Sequence, residues 1–181
     1  MKHQMKKIGI YAITYAFWLA AALAVGAICG VLGGLFAMAV EWATHARGEY
    51  AFLPWLMPLA GLAIAGLYRL LRLPLSIGTD EIISTVRTQE KVPLAMAPAI
   101  FISTVLTHLT GGSAGREGAA LQLGGSIGAG LARILPLEKA GEKAENDAVR
   151  IFQLCGMAAL FSALFGTPLA ATVFVVEIIE V

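Results

Sequence analysis

Long apolar stretches alternate with short polar breaks along the whole chain. The first stretch runs from about Ile8 to Trp42, with Glu41 charged near its end. One perpendicular membrane span needs about 20 residues, so this length predicts a strongly tilted helix. Gly26, Gly30 and Gly34 recur every fourth residue and would line one helix face with small side chains, which predicts close helix packing there. A polar connection is expected over residues 44–49, then a second apolar stretch over 52–71 that closes on Tyr68-Arg69-Leu70-Leu71-Arg72. Residues 74–86 are too short and too polar to span; they predict a helix that enters only partway, with Thr79 or Asp80 as its N-cap. A third stretch, about 92–109, contains Pro93 and Pro98, and a fourth starts at Glu117 and fades near Ile134. A charge-dense loop is expected over 138–150, a fifth stretch over 149–164, and a sixth from Pro168 to the C-terminus. Short helices interrupted by Gly and Pro are the kind that build ion sites at membrane depth, where irregular backbone is tolerated only against protein or a water-filled cavity.

Composition sharpens this pattern into a class. The chain is 58% hydrophobic and 14% charged, with mean hydropathy +0.78, whereas a soluble domain is roughly half apolar and a quarter charged. The fold class expected is therefore all-α, integral and polytopic, with residues 1–181 as a single transmembrane domain. A net charge of +1 leaves no basic face for nucleic acid. Cys29 and Cys155 lie in apolar runs and read as buried small hydrophobes. The first apolar run has no short core followed by a cleavage site, so it reads as a retained helix rather than a signal peptide. Lys2, Lys6 and Lys7 precede the first span, Arg69 and Arg72 close the second, and one Arg lies between, which predicts a cytoplasmic N-terminus in a multi-pass cell-membrane protein.

The candidate chemistry sits in Gly111-Gly112-Ser113-Ala114-Gly115-Arg116-Glu117-Gly118-Ala119-Ala120. An Arg-Glu pair between two apolar segments is costly in a bilayer unless it faces protein, water or an ion. The run from Glu117 reads as a helix start, where free N–H groups and a partial positive charge suit an anion. The Glu117 carboxylate would compete with a small anion for those donors. The plainer reading is a capping glutamate paired with Arg116. His108 reads as a hydrogen-bonded core residue, and His3 and His45 as solvated or interfacial. No spacing suits a metal, a phosphate loop or a catalytic triad, so neither an enzyme nor a cofactor is expected.

Gly115-Arg116-Glu117-Gly118, followed by Gln122-Leu123-Gly124-Gly125-Ser126-Ile127-Gly128, resembles the GREGP…QLGGNIG signature of the CLC chloride channels and transporters. Phe165-Gly166-Thr167-Pro168-Leu169-Ala170-Ala171, then Phe174-Val175-Val176-Glu177, resembles that family's FNAPLAG…F-hydrophobic-hydrophobic-E segment. The resemblance is strongest over 76–181. It implies one half of an inverted-repeat channel fold, with the second repeat lacking, and passage of chloride or a related small anion as the transported ion. It implies a gating role for Glu117 and anion binding by Gly115, Arg116, Glu117, Gly118, Ala119, Gly78 and Thr79. It further implies membrane lipid as surroundings and a homodimer. Alternatives are a proton-coupled chloride or fluoride antiporter of the same family, or a non-conducting fragment or assembly partner.

Three positions depart from the family pattern. Ala119 stands where proline is usual, which adds an N–H donor at the helix start. Residues 76–82 lie where the family carries GSGIPEI, so its ion-coordinating serine falls on Ile77, with Ser76 or Thr79 as the hydroxyls nearby. Glu177 matches the first of two glutamates in proton-coupled members and is the candidate proton path, but the second falls on Ile178, which leans the reading toward passive conduction.

Overall fold

The computed structural model describes residues 2–75, 78–88, 92–134 and 142–179. Ser76 and Ile77, and residues 138–141 of the expected charged loop, lie outside the described residues. The elements are α1 (Lys2–Glu49), a short 3-10 helix (Leu53–Leu56), α2 (Met57–Leu70), α3 (Thr79–Thr88), α4 (Met96–Leu109), α5 (Arg116–Ile134), α6 (Glu142–Phe165) and α7 (Pro168–Ile179). Segments 14–49, 53–70 and 145–165 are long and apolar enough to cross a membrane.

Two expected loops are helical. Residues 44–49 continue α1, and the described part of the 138–150 loop, from Glu142 onward, is the start of α6. The physical reason is the same in both places. A fall in hydrophobicity marks where a helix leaves an apolar environment, whereas ending it takes a backbone breaker. There is no proline before Pro54, and the Thr44 hydroxyl donates back to the Val40 carbonyl at 2.8 Å, inside the helix. At about 1.5 Å per residue, α1 is far longer than the ~30 Å hydrocarbon core.

One face of α1 is buried through Val25, Cys29, Phe36, Val40 and Ala43, while Leu23, Val31, Leu35, Met38 and Trp42 are exposed. The expected packing stripe is not the contact face. Space around Gly26, Gly30 and Gly34 is open, and it is Gly33 that meets Ala163 and Leu160 of α6. Spacing alone could not say which face of so apolar a helix turns inward.

At the centre lies α5, buried from Ala119 through Gly130. A helix made of small and apolar residues all round has no solvent face to keep. It packs on α6 nearly backbone to backbone: a Cβ on Gly124 would run into the Gly156 carbonyl, and one on Gly128 into the Phe152 carbonyl. On its other side the Ser126 hydroxyl donates to the Pro93 carbonyl at 2.9 Å, which ties α5 to the segment leading into α4.

Candidate functional site

The glycine cluster divides into two parts with different work. Gly111, at φ 88°, and Gly112 end α4: Gly111 N–H donates to the His108 carbonyl at 3.3 Å and Gly112 N–H to the Thr107 carbonyl at 2.8 Å. These are the paired returns of a left-handed helix C-terminus. Gly115 and Gly118 flank the start of α5, with Glu117 in its first turn.

That start meets a second helix start. A Cβ on Gly118 would collide with the Thr79 hydroxyl oxygen, so the N-terminal ends of α5 and α3 are in contact there. Thr79 is partly buried and Gly78 immediately precedes it. Gln122, one turn further into α5, donates from Nε2 to Thr79 Oγ1 at 3.2 Å. Each helix start carries N–H groups without intrahelical acceptors and a partial positive charge. Two of them side by side offer backbone donors that suit a small anion, while Asp80 and Glu81 in the first turn of α3 and Glu117 in that of α5 set negative charge at the same ends. Ala119 is buried just behind it.

Glu117 is exposed, and its carboxylate turns back over the chain: a Cβ on Gly115 would stand 3.2 Å from Glu117 Oε2. The pairing with Arg116 of the plainer reading is not formed; among the described residues no ion pair or hydrogen bond joins them. Arg116 instead lines a cavity of about 750 Å³ with Glu41, Thr44 and His45 of α1, His108 of α4 and Leu164 of α6. His45 also pairs with Glu49 at 3.7 Å, and His108 Nδ1 lies 2.8 Å from the Thr104 carbonyl, which only a protonated Nδ1 can satisfy.

Six of the predicted residues thus gather at or beside one place: Gly78 and Thr79 at the start of α3, and Gly115, Glu117, Gly118 and Ala119 at the start of α5, while the Arg116 side chain lines the cavity instead. Glu177 does not. It is exposed on α7 next to Ile178, whose carbonyl accepts from Arg87 Nη2 at 3.3 Å. Arg87 is at the far end of α3, about 12 Å along the helix from Thr79. The residue that sequence reasoning passed over is Gln122. Its signal was a lone amide within an otherwise small and apolar helix, five positions after Glu117. Among the described residues no group of three or more His, Cys, Asp or Glu side chains could hold a metal ion.

Residues 73–181 match the family model described as "Voltage gated chloride channel". The chain belongs to this family. A chloride/fluoride channel protein of Pseudomonas syringae pv. tomato is 35% identical over 167 residues, which are 92% of this chain and 35% of that protein. The H(+)/Cl(-) exchange transporter ClcA of Citrobacter koseri is 29% identical over 175 residues, covering 88% of this chain and 35% of that protein. Among solved structures, a CLC-type fluoride/proton antiporter superposes with a TM-score of 0.73 at 32% identity, over 87% of this chain and 38% of that one. The chain therefore spans about a third of the length of its relatives. Family membership and the candidate spans make it a multi-pass, all-helical membrane protein.

Proposed function

We propose that this chain supplies one half of a CLC-type pathway for small anions, with the seam between the starts of α3 and α5 as its part of the anion site. The observation that carries this reading is the contact of Gly118 with the Thr79 hydroxyl, which brings two helix N-termini together. Backbone N–H groups of residues 78–79 and 115–119 are the donors. Glu117 is the gate: its carboxylate is an anion tethered beside those donors, and it competes with the mobile ion until it is protonated or displaced. The missing side chain at Gly115 leaves room for that carboxylate, which lies over the Cβ position there. The pathway is completed by a second set of helices, and two such units pair as a dimer in the cell membrane with the N-terminus cytoplasmic. Thr79 takes the place of the serine ligand that falls on Ile77.

Conduction without protons is the leading mode, because Ile178 stands where a second acid would serve proton transfer and Glu177 lies at the far end of α3 from Thr79. Proton-coupled exchange is the second reading, favoured by the relatives named as exchangers and antiporters. Simultaneous recording of halide and proton movement in vesicles separates them. Halide flux with no opposing proton flux supports conduction, and a fixed ratio between the two supports exchange.

A further inference from the structure

The cavity of about 750 Å³ that the Arg116 side chain lines is separate from the α3–α5 seam: Thr79, Glu117 and Gly118 take no part in its wall. One face of α1 supplies Glu41 and His45, four residues apart, α4 adds His108 and α5 adds Arg116. Glu41 and Arg116 carry opposite charges, yet neither has an ion-pair partner among the described residues. His108 Nδ1 lies 2.8 Å from the Thr104 carbonyl, so in the neutral imidazole Nδ1 carries the hydrogen and Nε2 is left as an acceptor. The cavity therefore has a cationic wall at Arg116 and acceptors at Glu41 and His108. A simple anion there would meet the Glu41 carboxylate, and a simple cation would meet the Arg116 guanidinium. A ligand that carries both charges satisfies both walls. The depth of the cavity points the same way. Trp42 is exposed beside Glu41, and Tyr50 and Trp55 are exposed just beyond the end of α1. Exposed Trp and Tyr mark the headgroup level of a bilayer.

We propose that this cavity binds a small zwitterion, a primary ammonium joined by a short link to a phosphate, as in an ethanolamine headgroup. The phosphate pairs with Arg116, and the ammonium donates to Glu41 and to His108 Nε2. A guanidinium suits a phosphate because it presents parallel N–H groups to two oxygens at once. An ammonium is a donor only, which matches a carboxylate and an unprotonated imidazole nitrogen. A quaternary ammonium has no N–H to give, so the same cavity should discriminate against a choline headgroup. The ligand is neutral as a whole, so binding brings no net charge to the edge of the membrane. A membrane lipid and a free phosphoethanolamine share this chemistry, and the test below separates them. Arg116 is the first residue of α5, so an occupant would hold the start of the helix that carries Glu117.

The test has two arms, each run on the full chain and on Glu41→Gln and Arg116→Gln. In the first, phosphoethanolamine, phosphocholine and methyl phosphate are titrated calorimetrically into the chain in detergent. The native chain is expected to bind phosphoethanolamine about tenfold more tightly than the other two, the worth of hydrogen bonds from the ammonium to a charged acceptor. Glu41→Gln should remove that preference without weakening methyl phosphate, and Arg116→Gln should weaken every ligand. In the second arm, thermal unfolding is compared in nanodiscs of phosphatidylethanolamine and of phosphatidylcholine. A higher unfolding temperature in phosphatidylethanolamine that Glu41→Gln abolishes supports the site with the lipid as its ligand. A preference for free phosphoethanolamine without that shift supports the site with the free zwitterion as its ligand. If the native chain shows neither effect, or if the effect persists in Glu41→Gln, the proposal is overturned. Glu41 is exposed, so Glu41→Gln should fold; should Arg116→Gln not fold, the Glu41→Gln contrast decides alone.

Discussion

Two seams run along α5, and glycine lines both. On the side facing α6, a Cβ at Gly124 or Gly128 would meet backbone carbonyls of Gly156 and Phe152. On the side facing α3, a Cβ at Gly118 would meet the hydroxyl of Thr79, and one at Gly115 the carboxylate of Glu117. The first seam is backbone against backbone, and nothing there can move aside. The second is backbone against side chains that can rotate. The same residue type therefore does two things: close packing of α5 against α6 for stability, and clearance for mobile polar groups at the start of α5.

Substitutions separate the two. Gly124→Ala should have the largest effect, because its Cβ would stand 2.8 Å from Met157 Cα besides striking the Gly156 carbonyl. Overpacking of this kind costs about 3 kcal/mol, read as a lower unfolding temperature in detergent. Glu117→Gln should leave stability nearly unchanged, since Glu117 is exposed and unpaired among the described residues. It should alter anion flux by roughly tenfold, the equivalent of about 1.4 kcal/mol in the competition for the site. Gly118→Ala tests the second seam: the Thr79 side chain can turn away, so stability should drop by about 1 kcal/mol while flux is lost, because the methyl occupies the ion's space. Gly26→Ala should do least. Its surroundings are open, so the gain in helix propensity, about 0.8–1.0 kcal/mol, should appear as slight stabilisation. A marked loss of stability there would mean that the exposed stripe is a packing face for another helix.

How much of this was legible follows from what sequence patterns encode. The helical class, the break at the glycine cluster and the approximate helix starts near Thr79 and Glu117 were readable, because breakers and helix starts have local signatures; Thr79, expected with Asp80 as a possible cap, is instead the first residue of α3, and its hydroxyl accepts from Gln122. The continuation of α1 through 44–49, and the start of α6 at Glu142, were not, because polarity and helicity are separate properties at a membrane surface. The inward face of α1 was unreadable from periodicity, since both of its faces are apolar and the buried one is picked out by what α6 presents, Ala163 and Leu160. Arg116, which the plainer reading paired with Glu117, lines the cavity with Glu41 and His108. Adjacent positions on a helix point about 100° apart, so neighbours in sequence rarely face the same partner. Gln122 was visible as a letter in a motif, but only the fold brings its amide to the Thr79 hydroxyl.

Halide efflux from liposomes, with the native chain beside Glu117→Ala, tests the central claim most directly, provided both chains elute as folded protein. The account predicts halide flux that changes when the carboxylate is removed. Halide flux above that of protein-free liposomes and identical in the two chains would contradict Glu117 as the gate.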